Sequence, residues 1–272
     1  MRALISGASG SFGLELVKHL GVFDTDTISL RYGEINKQQN SKLLNCNIFI
    51  HCGALLHGNF DNMFNSNVLL TKNILDYLSL RNPNVHFIYL STMSLLQKKQ
   101  HILPNDYLDF RDMTDYALSK YISEIICSHY SIPITVVRFS TLFYRDPSRD
   151  GLSKLVYEGV KNKKITIYNN GVAKRNFLPL DVAVQYVVKL IGKEKFFGKT
   201  LNIVSGQETN FRDISNFLKF KIKDLKIENK DLELIDNVPT KFNCDDILFL
   251  GAIEFDLFEK INEYIQELLE KI

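Results

Sequence analysis

Tyr116 and Lys120 stand four residues apart in Thr114-Asp115-Tyr116-Ala117-Leu118-Ser119-Lys120. On a helix that spacing puts two side chains on one face. A phenol titrates near pH 10, too high for proton transfer at neutral pH. An ammonium beside it favours the phenolate and lowers that value, which makes Tyr116 a candidate proton donor or acceptor. The same spacing also occurs in plain amphipathic helices, so a partner is needed. Tyr89-Leu90-Ser91-Thr92-Met93-Ser94 supplies one, with three hydroxyls at the end of an apolar, strand-like run. Thr92 is the preferred partner for the oxygen that Tyr116 would serve, with Ser91 and Ser94 as alternatives. The competing reading makes all three turn hydroxyls that bond to backbone.

A second constellation, Gly7-Ala8-Ser9-Gly10-Ser11-Phe12-Gly13, follows the apolar run Ala3-Leu4-Ile5. Glycine allows a tight turn and close approach of the backbone to a phosphate. The helix opening there offers N–H groups and a partial positive charge to a pyrophosphate. Gly7, Ser9, Gly10, Ser11, Phe12 and Gly13 are therefore candidate dinucleotide contacts, and the position after a first strand strengthens the signal. Lys120 could then also hold the nicotinamide ribose. The end of the second strand selects the dinucleotide: a carboxylate binds a ribose 2′-hydroxyl, an arginine a 2′-phosphate. Ser29-Leu30-Arg31-Tyr32 places Arg31 there, so NADP is expected. NAD is the alternative if Glu34 takes the role.

These residues need a scaffold. Strands are expected at Ala3–Ile5, Thr27–Leu30, Ile48–Ile50, Val85–Leu90 and Ile134–Val137. Helical spacing runs through Phe12–Leu20, Asp61–Leu80 and Tyr116–Tyr130. Alternation of this kind implies an α/β fold, a Rossmann-type doubly wound parallel sheet. The stretch between strands two and three leaves room for only a small helix or loop. After about Phe139 the pattern loosens, then resumes with a helix at Val182–Ile191, a strand at Leu201–Val204 and a last helix at Asp256–Leu269. Residues 1–140 are expected to form the dinucleotide-binding core. Residues 141–272 are expected to form mainly a smaller α/β substrate lobe, with some segments returning to the core.

Composition narrows the partners. With 33 basic and 31 acidic residues the net charge is +2, which gives no concentrated basic excess for nucleic acid or an anionic membrane. No apolar run is long enough to span a bilayer. Cys46, Cys52, Cys127 and Cys244 lie far apart, without metal-ligand spacing, so no metal and no disulfide framework is expected. The N-terminus runs straight into a strand and lacks the pattern of a signal peptide. A cytoplasmic location follows by elimination.

Taken in order, these motifs resemble the extended short-chain dehydrogenase/reductases, the nucleotide-sugar epimerase, dehydratase and reductase family. Gly7, Gly10 and Gly13 match its glycine motif, and Tyr116 with Lys120 match its catalytic pair. Ser91-Thr92 resembles its catalytic hydroxyl segment. His51-Cys52-Gly53-Ala54 resembles the segment after strand three whose backbone lies along the cofactor. Asn67-Val68, followed by Thr71-Lys72-Asn73, resembles its central-helix asparagine motif. Val137-Arg138-Phe139, Arg175-Asn176-Phe177-Leu178-Pro179-Leu180-Asp181-Val182-Ala183 and Leu201-Asn202-Ile203-Val204-Ser205-Gly206 resemble later family segments. The resemblance implies cofactor contacts at Cys52, Gly53, Ala54, Asn67 and Lys120. It implies substrate contacts at Ser91, Ser94, Arg138 and Arg175. The family's dehydratases carry Asp-Glu after the catalytic threonine, where this chain has Met93-Ser94.

The leading expectation is an NADP-dependent reductase acting on a keto group, at C4, of a nucleotide-linked deoxysugar. The second is a nucleotide-sugar 4-epimerase using the same residues. A catalytically silent cofactor-binding scaffold is the third, and retention of Tyr116 and Lys120 argues against it. A homodimer through the helices at Asp61–Leu80 and Tyr116–Tyr130 is also expected.

Overall fold

The structure is a computed structural model that describes residues 1–32, 35–96, 101–102, 111, 113–232 and 241–271. In chain order the first half carries β1 (Arg2–Ser6), α1 (Ser11–His19), β2 (Asp24–Ile28), α2 (Lys37–Leu44), β3 (Ile48–His51) and α3 (Phe60–Met63). It continues through α4 (Leu70–Arg81), β4 (His86–Thr92), β5 (His101–Ile102), α5 (Asp115–Ser128) and β6 (Ile134–Phe139). Then follow β7 (Thr141–Phe143), α6 (Gly151–Asn162), β8 (Lys164–Tyr168), β9 (Lys174–Arg175), β10 (Phe177–Pro179), α7 (Leu180–Leu190) and β11 (Lys199–Ile203). The last elements are β12 (Thr209–Asn210), α8 (Phe211–Lys221), β13 (Lys226–Lys230), β14 (Lys241–Phe242), α9 (Asp245–Leu250) and α10 (Leu257–Leu269).

The chain divides into two compact units. Met1–Gln97, Pro104–Phe139 and Ala183–Ile203 make the first; Lys98–Leu103, Ser140–Val182 and Val204–Ile272 make the second. In the first unit six strands form one sheet in the order β11-β6-β4-β3-β1-β2, and every pair is parallel. This is the expected α/β Rossmann-type fold. β3, β4 and β6 are buried along almost their whole length because a parallel sheet covered on both faces shows neither side to water. Phe49 and Phe87 stack at 5.5 Å on neighbouring strands. Leu70, Ile74, Leu75 and Leu78 of α4 belong to the same buried core.

β2 lies earlier than the expected Thr27–Leu30. It is an edge strand of alternating Asp and Thr that ends in the buried Ile28, and ion pairs tie down its polar part. Asp26 accepts from Lys42 at 2.9 Å and Arg2 at 3.2 Å, tying β2 to α2 and β1. Charged edges of this sort discourage pairing with other chains, but they hide the strand from an apolar search. α2 itself is set by a capping box between Asn36 and Gln39.

The stretch expected as one helix over Asp61–Leu80 is helical throughout, but Phe64–Leu69 is wound as a π-helix between α3 and α4. In the second unit the core gathers Leu152, Leu155, Val156 and Val160 of α6, Ile214 and Leu218 of α8, and Ile261 and Ile265 of α10. Small two-stranded ladders join β8 to β13 and β7 to β10. Among the described residues no helix is long and apolar enough to cross a membrane.

Candidate active site

The glycine loop is shaped by close backbone contacts. Gly7 has φ +71°, and a Cβ there would lie 2.4 Å from the Gly53 nitrogen, so the segment after β3 packs directly on the loop. A Cβ on Gly13 would lie 2.4 Å from the Gly7 oxygen, which fixes α1 against the turn. Gly10 differs: its nearest such contact is an ordinary 3.4 Å, leaving that side open. α1 starts without a side-chain cap and without an acidic residue in its first turn. Its first N–H groups have no helical acceptor and suit an anion. The donor set therefore fits a dinucleotide pyrophosphate. Phe12 contributes only backbone, because its ring is buried against Phe139 at 5.3 Å.

The expected cofactor contact at Asn67 takes a different form. Its side-chain oxygen accepts from the Leu55 N–H at 2.7 Å, and its amide donates to the Leu55 carbonyl at 2.9 Å and to Ser119 Oγ at 2.9 Å. The amide is fully engaged within the chain. Asn67 fixes the segment that carries Cys52, Gly53 and Ala54, and it ties that segment to α5. The wider π turn around Asn67 accompanies this reach, as such turns often do near functional sites. Cys52 donates its backbone N–H to the Ser6 carbonyl at 3.1 Å, and burial pushes its thiol up to about 12.

α5 is capped by Thr114, whose hydroxyl accepts the Ala117 N–H at 3.2 Å. This places Tyr116 in the first turn and Lys120 one turn on. Lys120 is only 3% exposed, and its ammonium lies 4.0 Å from the centre of the Tyr89 ring on β4. Burial lowers its pKa to about 8 against the opposing pull of Glu124. The expected lowering at Tyr116 is not what the chain itself produces. Burial pushes that phenol up to about 12, because desolvation disfavours the phenolate.

Ser91 and Thr92 end β4, and Ser94 sits in the 3₁₀ turn Met93–Leu96. The Thr92 hydroxyl donates to Ser94 Oγ at 3.0 Å and accepts the Ser94 N–H at 3.1 Å. Ser91 Oγ is buried without a hydrogen-bond partner among the described residues.

Arg138 on β6 is 7% exposed and does not stand open as the expected substrate contact. Its Nε donates to both Glu124 oxygens at 3.0 and 3.1 Å, and Nη2 donates at 2.6 Å. Arg175 lies in the second unit on β9, opposite Thr209 of β12, and donates to the Lys174 carbonyl at 2.7 Å. Arg31 is exposed beyond the end of β2, while Glu34 lies outside the described residues.

Glu124 was not foreseen from sequence. Its signal was its place four residues after Lys120, on the face that also carries Tyr116. His51 was foreseen only as part of a motif. It is 1% exposed, and burial, followed by the charge of Lys120, lowers its pKa to about 3. Thr71 Oγ1 donates to the Asn67 carbonyl at 2.6 Å, so it accepts from His51 Nε2 at 3.1 Å. His51 Nδ1 in turn accepts from Ser6 Oγ at 2.5 Å. A neutral imidazole thus links the strand before the glycine loop to the helix carrying Asn67.

Residues 3–203 match the model of the NAD dependent epimerase/dehydratase family. The chain belongs to that family. It is a family of nicotinamide-dependent enzymes and corresponds to the extended short-chain dehydrogenase/reductases named above. One curated relative, the uncharacterized UDP-glucose epimerase YtcB of Bacillus subtilis (strain 168), is 23% identical over 138 residues. That match spans 49% of this chain and 43% of the relative, so the chain aligns with less than half of the relative's length.

Among solved structures, MoeE5 in complex with UDP-glucuronic acid and NAD has a TM-score of 0.85 at 17% identity, covering 100% of both chains. A UDP-glucuronic acid 4-epimerase from Bacillus cereus in complex with NAD has a TM-score of 0.81 at 19% identity, covering 98% of this chain and 97% of its own. TunA, an NAD dependent NDP-hexosamine 5,6-dehydratase, has a TM-score of 0.83 at 15% identity, covering 100% and 98%. At these identities the likeness is one of fold.

Proposed function

We propose that this enzyme reduces a keto group, at C4, of a nucleotide-linked deoxysugar with NADPH. The observation that carries the reading is the placement of Tyr116 one helical turn from the buried Lys120 ammonium. A bound nicotinamide dinucleotide supplies the hydride. Tyr116 gives its phenolic proton to the ketone oxygen as the alcohol forms, and Thr92 hydrogen-bonds that oxygen. Burial keeps the phenol protonated before the reaction, so the proton is in place, and its release requires a compensating positive charge. Lys120 binds the nicotinamide ribose and supplies the positive charge that offsets the phenolate left behind. The backbone at Gly10, Ser11 and Gly13, with the hydroxyls of Ser9 and Ser11, cradles the pyrophosphate, and Cys52, Gly53 and Ala54 line it. Arg31, exposed past β2, pairs with a 2′-phosphate. Met93 and Ser94, in place of two carboxyl groups, leave no acid–base pair there for eliminating water.

Ser91, Ser94 and Arg175 are assigned to the sugar nucleotide. Residues 1–140 hold the dinucleotide, and 141–272 mainly the substrate. Four free cysteines suit a reducing cytoplasm. Exposed Phe60, Leu80 and Ile125 on α3, α4 and α5 favour a homodimer through these helices, which light scattering at micromolar concentration checks.

The test mixes the protein and NADPH with a panel of nucleotide-linked 4-keto sugars. Loss of reduced cofactor is followed at about 340 nm, an absorbance that belongs to the cofactor. No loss with any member overturns the reductase reading. A 4-epimerase reading draws support from the names of YtcB and the Bacillus cereus enzyme. It requires interconversion of nucleotide sugars by chromatography, without net change in absorbance.

A further inference from the structure

Glu124 follows Lys120 by one turn of α5 and is 7% exposed. A lysine and a glutamate four apart on a helix attract each other, and burial strengthens the attraction. Yet Glu124 is held from the other side. Arg138, on β6 opposite Ser91 of β4, spans both carboxylate oxygens at 2.6 to 3.1 Å. The Lys120 ammonium instead lies over the Tyr89 ring. Three formal charges, two positive and one negative, therefore share one buried layer between α5 and the sheet.

We infer that Arg138 is a positioning residue: its fork holds Glu124 against β6 and keeps the carboxylate off Lys120, leaving that ammonium to the dinucleotide's ribose. The inference rests on the proposed role of Lys120. A planar guanidinium fits both oxygens at once; a point charge on a lysine stem would hold one. The groups facing Lys120 are Glu124 and Cys127 on α5, Cys52 after β3, His51 on β3 and Tyr89 on β4, and Tyr116 stands one turn before it on α5. Burial pushes Cys52 and Cys127 up to about 12 and holds His51 down at about 3, so these are neutral near pH 7. The tyrosines are neutral as well. Glu124 is the one group in this set able to capture the ammonium.

The test follows the Lys120 ammonium by NMR in the labelled full chain without ligand, with Lys120→Met identifying its resonance. Its midpoint is expected near 8 in the parent chain. Arg138→Lys keeps the charge and removes the fork; the midpoint should rise by about one unit as Glu124 turns to Lys120. Arg138→Leu should raise it further. The double variant Glu124→Leu/Arg138→Leu removes the carboxylate as well, and the midpoint should fall below that of the parent. Replacing both members of a buried pair is often tolerated, so the double variant and Arg138→Lys carry the comparison if Arg138→Leu does not fold.

In parallel, NADPH binding at pH 6, where Lys120 is charged throughout, should weaken roughly tenfold in Arg138→Lys and recover in the double variant. A Lys120 midpoint unmoved in Arg138→Lys overturns the inference. So does equal loss of NADPH binding in the single and double variants, which is what a merely structural pair would give. If the parent binds no nicotinamide dinucleotide, the proposed function fails, while the Lys120 titration still decides whether Arg138 restrains Glu124.

Discussion

The two ends of the sheet each bury a histidine, and the two are wired differently. At the amino end of β4, His86 accepts the Gly192 N–H on Nδ1 at 3.2 Å. Its Nε2 donates to Thr135 at 2.9 Å, and Thr135 passes the bond to the Phe196 carbonyl. That chain of bonds ends on backbone and joins β4, β6 and the turn before β11. At the carboxyl end of β3, His51 sits in a similar relay through Ser6 and Thr71, but this relay continues. Asn67, whose carbonyl accepts from both Thr71 and Ser123, reaches Leu55 and Ser119 with its side chain, and Ser119 donates to the Tyr116 carbonyl at 2.8 Å. The same residue type closes a seam at one end and supports the site's backbone at the other. Buried polar groups at the carboxyl end converge on the glycine loop and α5, as expected where parallel sheets bind ligands.

The contrast predicts where substitutions will matter for rate. Tyr116→Phe removes one hydroxyl at the carboxyl end and should cut turnover by about 10²–10⁴-fold. Melting temperature and NADPH affinity should barely change. Near-parent turnover of a confirmed substrate would reduce the Tyr116 motif to an ordinary helix face. Lys120→Met should lower both turnover and cofactor affinity; in the parent chain turnover should decline as pH rises through about 8, where Lys120 loses its proton. His86→Gln at the other end should leave the rate per folded molecule unchanged. A large drop there would break the distinction between the two ends.

Both histidines should mark stability. Unfolded, each takes a proton near pH 6.5; folded, His86 does so only near 4 and His51 near 3. Between those limits the unfolded chain binds more protons, so stability falls as pH drops below 6.5, by a few kcal/mol for each residue. Denaturant titrations at pH 8, 6 and 5 check this. His51→Gln or His86→Gln should flatten the dependence, and a profile equally steep in both variants would remove the histidines as its cause.

The sequence carried the parts of this site that local pattern encodes. β3 and β4 are apolar runs, the glycines have fixed spacing, and Tyr116 and Lys120 share a helix face, so each was readable in one dimension. What it could not carry was pairing across elements. Arg138 stands 14 residues from Glu124, and nothing local marks them as partners; a motif suggested a substrate contact, and burial made an ion pair. Asn67 likewise was legible as a motif residue, but its bonds to Leu55 and Ser119 cross between segments 12 and 52 residues away, and the apolar periodicity does not reveal the π turn in which it sits. β2 starts three residues before the expected Thr27 because its first four residues are Asp and Thr, and only Ile28 at its end is apolar and buried.

Arg31 is exposed, and its loss gives a smaller effect on the enzyme than loss of the Tyr116 hydroxyl. Arg31→Ala should weaken NADPH binding by about 1.5–3 kcal/mol and leave NADH binding unchanged, the size of a charged hydrogen bond. Calorimetry on both cofactors reads the difference, and equal or tighter NAD binding by the parent chain would refute the NADP preference.

The smallest effect is expected at Thr92, and it sharpens the comparison most finely. Its hydroxyl, like that of Thr135 at the amino end, is already engaged: it accepts one bond from Ser94 and donates another. To hydrogen-bond a substrate oxygen it must redirect its proton from Ser94 Oγ while still accepting the Ser94 N–H. Thr92→Val should therefore lose one neutral hydrogen bond to substrate, lowering kcat by up to about tenfold. It should also lose the turn contact, at about 0.5–1.5 kcal/mol of stability. Thr92→Ser keeps the hydroxyl and should restore both. Thr135→Val removes a comparably engaged hydroxyl and should lower stability with kcat unchanged. If Thr92→Val and Thr135→Val behaved alike, with stability lost and turnover kept, Thr92 would be a turn hydroxyl and the acid–base chemistry would rest on Tyr116 and Lys120 alone.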